Sequence, residues 1–190
     1  MARLSFGKKR RKRINYELLK EIAVWGAQIA IVSALAFGCV WYFGHKVSVI
    51  GESMKPRLEN GDITVVNRLV YDIRKPKRGD VIAFKPNGNE NSHYYIKRII
   101  GLPGETVEIR EGKIYVDGMI LIENYGNEKM PKDYSMDKRF LLEDEYFVLG
   151  DNRNHSIDSR EYSVGAVKRE RIIGKAKVIL YPFDNIRVFK

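Results

Sequence analysis

A chain of 190 residues has room for one domain with a sizeable core plus a short appendage, and 44% hydrophobic with 31% charged residues excludes disorder throughout. The net charge of +10 suggests nucleic-acid binding, but residues 1–20 hold eight Lys/Arg against the single Glu17 and the rest is near balance, so no nucleic-acid partner is expected. The lone cysteine, Cys39, rules out an intrachain disulfide, and three scattered histidines (His45, His93, His155) offer little to a metal, so neither a metal nor a cofactor is expected.

Residues 1–21 read as a basic tail, with Lys8 to Arg13 an unbroken run of Lys and Arg. Residues 22–44 carry no charged side chain and are long enough, at about 1.5 Å per residue, to cross the roughly 30 Å hydrocarbon core of a bilayer. Trp25 stands near one end and Trp41, Tyr42 and Phe43 near the other, where aromatic rings favour the interface. Ala34-Leu35-Ala36 fits a small-x-small signal-peptide cleavage site, but the apolar run continues past it, which favours a retained signal-anchor. Basic residues stay on the cytoplasmic side, so the expected topology in the cell membrane is single-pass, with the tail inside and residues 45–190 outside.

Beyond Gly44 the pattern changes to short alternating runs separated by turn residues. Lys46–Ile50, Asp62–Asn67, Asp80–Lys85, His93–Ile100 and Glu105–Arg110 read as strands. Lys113–Val116 and Met119–Ile122 flank Asp117-Gly118, a two-residue hairpin signal, and Tyr146–Leu149 and Ala176–Tyr181 complete the set. The segment Glu123–Asp144 is polar and irregular and reads as an insertion or long surface loop. The expectation is a mostly-β domain tethered by one transmembrane helix.

Three segments could carry chemistry. Ser53 lies in Gly51-Glu52-Ser53-Met54-Lys55-Pro56, which is not the Gly-x-Ser-x-Gly elbow of α/β-hydrolases because Lys55 replaces the second glycine. In His93–Ile100, alternation sends His93, Tyr95, Lys97 and Ile99 to one face. A buried Lys97 would have a lowered pKa and could accept a proton from a serine hydroxyl. The stretch from Gly150 to Arg160 is dense in hydrogen-bonding and charged groups.

Taken together, these segments resemble the ordered boxes of bacterial type I signal peptidases. The matching residues are Ser53-Met54 with Pro56 and Leu58, Gly61-Asp62 with Val65-Val66-Asn67, Arg78-Gly79-Asp80-Val81, Tyr95 to Gly101 with Pro103-Gly104, and Gly150 to Arg160. The resemblance implies a membrane-bound serine endopeptidase with a Ser–Lys dyad, built of coiled antiparallel β-sheets, that cleaves signal peptides from exported preproteins. It implies Ser53 as nucleophile and Lys97 as general base. It further implies Asp158 and Arg160 as a supporting salt bridge, Ser156 as a residue orienting the lysine, and Asp151 and Arg153 as holding the loop together. The Ser53 backbone N–H is the expected oxyanion donor, Val49 and Met54 the expected pocket linings, and preproteins and the lipid bilayer the expected partners.

Two positions depart from the family pattern. Gly51 stands where Gram-negative members place a serine hydroxyl as second oxyanion donor, so Gly51→Ser is expected to preserve or raise activity. Arg57 replaces a usual threonine. The short polar insertion and single anchor resemble compact Gram-positive members. A self-cleaving repressor would need a DNA-binding domain in place of residues 1–44. An endoplasmic-reticulum-type peptidase would carry histidine in place of Lys97. A non-enzymatic binding module would tolerate loss of Ser53.

Overall fold

The computed structural model describes residues 16–43, 45–86, 93–126 and 128–188. The basic run Lys8–Arg13 lies outside these residues, as do the side chains of Trp41, Tyr42 and Phe43. The chain divides into two units, Met1–Trp41 and Tyr42–Lys190.

The first unit is the helix α1 (Tyr16–Phe43). Its Tyr16–Gly38 stretch is long and apolar enough to span a bilayer, covering about 35 Å at the helical rise. Every side chain along that stretch is exposed. From Ile22 onward the helix is uncharged, and apolar side chains all round with backbone bonds kept internal suit it to a lipid environment. The helix begins a turn and a half before Ile22, taking in Glu17 and Lys20, an exposed i,i+3 ion pair at 3.5 Å.

The second unit is almost entirely antiparallel sheet. The strands are β1 (His45–Ser48), β2 (Ile63–Asn67), β3 (Val81–Phe84), β4 (Tyr95–Gly101), β5 (Thr106–Arg110), β6 (Lys113–Val116), β7 (Met119–Ile120), β8 (Met136–Phe140), β9 (Glu145–Leu149), β10 (Val167–Lys168), β11 (Ile172–Tyr181) and β12 (Arg187–Val188). The larger sheet runs β1-β2-β11-β3-β4-β9-β10 with β12 also on β11, and the smaller runs β7-β6-β5-β8. One short helix, α2 (Val70–Ile73), interrupts the strands. All nine expected strand segments contain a strand, with ends shifted by a few residues.

β11 bends as it passes from one neighbour to the other. Ile172 to Lys175 pair with β3 and Lys175 to Tyr181 with β2, with register shifts in both ladders. Such bulges add twist and coil the sheet. Val47, Val49, Met54, Leu58, Ala83 and Ile96 form one buried cluster, and Ile82, Phe84, Ile99 and Val148 another. β4 is therefore covered on both faces, and Lys97 is buried within it.

The Glu123–Asp144 segment is not simply a loop. It contains β8, which pairs with β5 through Thr106↔Phe140 and Val107↔Arg139. Asp137, Lys138 and Phe140 are exposed, so charges on the solvent side mask the alternation of an edge strand. The same segment contributes Met130 and Leu141 to the small sheet's core, with Val107, Ile109 and Ile114.

Candidate active site

Ser53 lies in the turn-rich connection between β1 and β2. The connection closes on itself, because Val49 N–H donates to Asp62 O (2.8 Å) and Gly61 N–H to Val49 O (2.9 Å). Met54 and Leu58 are 1% and 0% exposed and plug the turn into the core, while Leu58 N–H donates back to Met54 O at 3.0 Å. The apolar side chains flanking Ser53 thus anchor a loop that leaves the serine at its surface.

Lys97 reaches this loop from β4, flanked by β3 and β9. Its Nζ lies 2.6 Å from Ser53 Oγ. The lysine is 5% exposed and its Nζ is 5.4 Å from the centre of the Tyr95 ring. Burial penalises the ammonium and lowers the Lys97 pKa from 10.5 to about 8; the Asp158 carboxylate opposes this and the Arg160 guanidinium reinforces it.

The Gly150–Arg160 segment braces both residues. Asn152 N–H donates to Ser53 O at 2.9 Å, and Asn152 Nδ2 donates to Glu52 O at 3.2 Å. Gly150 N–H donates to Asp158 Oδ2 at 3.0 Å. Arg160 clamps Asp158 in a fork, Nε to Oδ1 at 2.8 Å and Nη2 to Oδ2 at 2.9 Å, so the carboxylate's pull on Lys97 is partly neutralised. A side chain at Gly150 would meet Ser53 O at 2.5 Å and Ser156 Oγ at 2.3 Å, so only glycine lets these backbones approach so closely.

Behind this segment, Arg98 makes a bidentate pair with Asp151, Nε to Oδ1 and Nη2 to Oδ2, both 2.7 Å. Arg57 joins it through Nη1, which donates to Tyr125 O at 2.6 Å and to Asp151 Oδ2 at 3.3 Å. The residue that departs from the family pattern is thus wired into the support of the loop.

An open cleft of about 340 Å³ runs past the pair, lined by Val49, Ile50, Gly51, Glu52, Ser53, Met54, Lys97, His155 and Ile157 together with His93 to Ile96. Ser53, Lys97, Val49 and Met54 therefore share one cleft, and Asp158 and Arg160 stand behind it. Two expectations change. Ser156 Oγ is buried with no hydrogen-bond partner among the described residues, so it makes no bond to Lys97 and instead crowds against Gly150. Gly51 has φ +88°, a conformation disfavoured for any residue with a side chain, so a serine there is strained rather than beneficial. Sequence reasoning missed Asn152, whose only signal was an Asx residue inside the polar box, and the cleft residues His155 and Ile157.

Among the described residues no cluster of His, Cys, Asp or Glu could hold a metal ion. What the arrangement offers is a hydroxyl beside an amine that can lose its proton near neutral pH, next to an apolar cleft.

The family model described as signal peptidase, peptidase S26, matches residues 22–181. Signal peptidase I P of Bacillus subtilis subsp. natto is 34% identical over 190 residues, covering 96% of this chain and 98% of its own length. A signal peptidase I of Leptolyngbya laminosa is 37% identical, covering 83% and 79% respectively. The crystal structure of a signal peptidase I from Enterococcus faecalis aligns with 54% of this chain and 97% of its own, with 38% identity and a TM-score of 0.45. The match to the family model across most of the chain, and the near full-length match to the Bacillus enzyme, establish that this chain belongs to the signal peptidase I family of S26 peptidases.

Proposed function

We propose that Ser53 and Lys97 are the catalytic dyad of this membrane-anchored serine endopeptidase, which removes signal peptides from preproteins. The observation that carries the assignment is the 2.6 Å approach of Ser53 Oγ to a lysine amine that is 5% exposed. In its neutral form Lys97 accepts the hydroxyl proton as Ser53 Oγ attacks the scissile carbonyl. The Ser53 N–H stabilises the developing oxyanion, and Lys97 then passes the proton to the leaving amine. Water, deprotonated by Lys97, hydrolyses the acyl-enzyme and frees Ser53.

Val49 and Met54, with Ile50, Ile96 and Ile157, give the cleft an apolar lining suited to small aliphatic side chains beside the cleaved bond. Asp158 and Arg160 act as positioning residues that hold Gly150, and through it the loop under Ser53. Ser156 packs against Gly150, and its Oγ has no hydrogen-bond partner among the described residues.

The basic residues 1–21 favour an N-terminus in the cytoplasm and residues 45–190 outside the cell membrane. Anchoring then confines enzyme and preprotein to one surface and raises their effective concentration. Protease added to intact spheroplasts is expected to digest the β domain; its protection would reverse the orientation.

Cleavage of a preprotein by the detergent-solubilised full chain tests the dyad. Lys97→Ala and Lys97→Arg are expected to be inactive with native circular dichroism, the latter because a guanidinium stays protonated. His93→Ala should retain most activity, since His93 lines the cleft but stands two residues before β4, about 13 Å from Lys97 if the chain between them is extended. Turnover by folded Lys97→Ala, or its loss in folded His93→Ala, overturns the assignment.

A further inference from the structure

Among the described residues, none of the small sheet β7-β6-β5-β8 lines the cleft at Ser53. A strap drawn from beside that sheet nevertheless reaches the backbone around the serine. Residues 123–125 follow β7 and meet three arginines behind the catalytic segment. Glu123 Oε1 pairs with Arg153 Nη1 at 2.6 Å, and the Tyr125 carbonyl accepts from Arg57 Nη1 at 2.6 Å. The Tyr125 ring covers Arg98, whose guanidinium carbon stands 4.4 Å from the ring centre.

Each arginine in turn holds part of the catalytic framework. Arg153 Nε donates to Gly150 O at 2.9 Å. Arg98 fixes both oxygens of Asp151, the residue before Asn152, whose N–H donates to Ser53 O. Arg57 belongs to the Ser53 loop itself: its N–H donates to Met54 O at 3.0 Å, and its guanidinium reaches Asp151 Oδ2 at 3.3 Å. Tyr125 therefore meets both sides of the contact that sets the serine. Its carbonyl holds the loop that carries Ser53, and its ring covers the arginine that holds the brace.

The ring has a specific physical task there. An aromatic face attracts a guanidinium laid against it, more strongly where water is excluded, and Arg98 is 2% exposed. A guanidinium meets a carboxylate through two parallel bonds only while the two planes align, so a ring that fixes the Arg98 plane also fixes Asp151. Tyr125 is itself half-buried and packs against the core of the small sheet, which gives the strap a rigid base.

We propose that Tyr125 is a positioning residue for the nucleophile, through which the small sheet fixes the Ser53 loop against Asn152; this rests on the assignment of Ser53 and Lys97 above. The proposal gives the small sheet a part in the reaction without contact with the substrate cleft.

The ¹⁵N-labelled full chain in detergent micelles supplies two readouts. One is cleavage of a preprotein. The other is hydrogen exchange at the Asn152 N–H, which reports its bond to Ser53 O directly. The Ile99 N–H, which donates to Asp80 O at 2.9 Å, serves as the control for opening of the whole fold. Tyr125→Leu is expected to lower kcat about tenfold or more, with KM changed by less than about twofold. Exchange at Asn152 should accelerate about tenfold while Ile99 keeps its native rate. Tyr125→Phe retains the ring and should restore both readouts. A native kcat in Tyr125→Leu, equal acceleration at Asn152 and Ile99, or a Tyr125→Phe variant as impaired as Tyr125→Leu would overturn the proposal. Where Tyr125→Leu fails to fold, Tyr125→Met fills more of the same space without a ring face and carries the same expectations. Ser53→Ala tests the underlying assignment separately. Activity in that variant overturns the dyad and the proposal with it, whereas an inactive Ser53→Ala with native Asn152 exchange in Tyr125→Leu overturns the strap alone.

Discussion

The carbonyl of Ser53 accepts a hydrogen bond at 2.9 Å from the backbone N–H of Asn152, a residue 99 positions further along the chain. Asn152 makes a second bond, from its side-chain amide to Glu52 O at 3.2 Å, so it grips the carbonyls of the two peptides that flank the Ser53 Cα. The position of the proposed nucleophile is thus set from outside its own loop. Asn152→Ala keeps the backbone bond and removes the other. A kcat about tenfold lower, with KM little changed and native circular dichroism, is the expected outcome, because a small displacement of a nucleophile is costly. An unchanged kcat would mean that the side-chain bond does not position Ser53.

Gly150 admits no side chain. A Cβ would collide with Ser53 O at 2.5 Å and with Ser156 Oγ at 2.3 Å. Gly150→Ala is expected to lose at least about a hundredfold in activity as the loop shifts. Adding Ser156→Gly removes only the side-chain clash and should not restore it, because the Ser53 carbonyl still obstructs. Full activity in the double variant would assign the effect to Ser156 instead.

Lys97 should leave its mark on both rate and stability as pH changes. Cleavage is expected to rise about tenfold per unit at low pH and to level off through a midpoint near 8, as the neutral amine accumulates. For stability, the folded pKa of about 8 lies below the ordinary 10.5, so between these values the unfolded chain binds more protons than the folded one. The cost of burying Lys97 is fully present below 8 and is relieved as pH rises toward 10.5. Lys97→Met, uncharged and of similar length, should therefore melt at a higher temperature than the native chain at pH 7. The difference should shrink toward pH 10.5, and a difference constant over that range would mean the lysine is not buried as described.

Gly51→Ser is expected to lower activity rather than raise it. At φ +88° any side chain costs roughly 1 kcal/mol or more, and Gly51 N–H also donates to Asn60 Oδ1 at 2.9 Å in this conformation. Gly51→Ala separates the two effects, since it carries the same strain without a hydroxyl. If the serine variant exceeds the native rate, the hydroxyl outweighs the strain and the loop adapts.

Two arginines meet Asp151 with different consequences. Arg98 and Asp151 are 2% and 0% exposed, so Arg98→Met leaves a buried carboxylate with only the longer Arg57 contact and should cost about 3 kcal/mol or more in denaturant unfolding. Arg57 has a side chain 26% exposed, and Arg57→Thr should cost only about 1 kcal/mol. Equal losses for the two would mean that the pairs share one network rather than a buried core and a partly solvated addition.

Alternation of apolar and polar residues is local, which is why the sequence alone located the nine strand segments, the hairpin at Asp117-Gly118 and the uncharged span that becomes α1. The ordered boxes likewise singled out Ser53, Lys97, Asp158 and Arg160. What the tertiary structure decided is everything that depends on residues distant in the chain. Met136–Phe140 became a strand only because β5 offers it a partner; its exposed charges conceal the pattern. Lys97 acquired a depressed pKa because strands on both sides of β4 and the Ser53 loop remove it from water, and burial is not a property of its neighbours in sequence. Asn152 became a brace for Ser53, and Gly51 changed from a missing donor to a conformational requirement, through a hydrogen bond and a backbone angle that no residue pattern encodes. Residue types supply the chemistry available to the chain, while the free energy of burying and pairing them across the fold decides which groups meet.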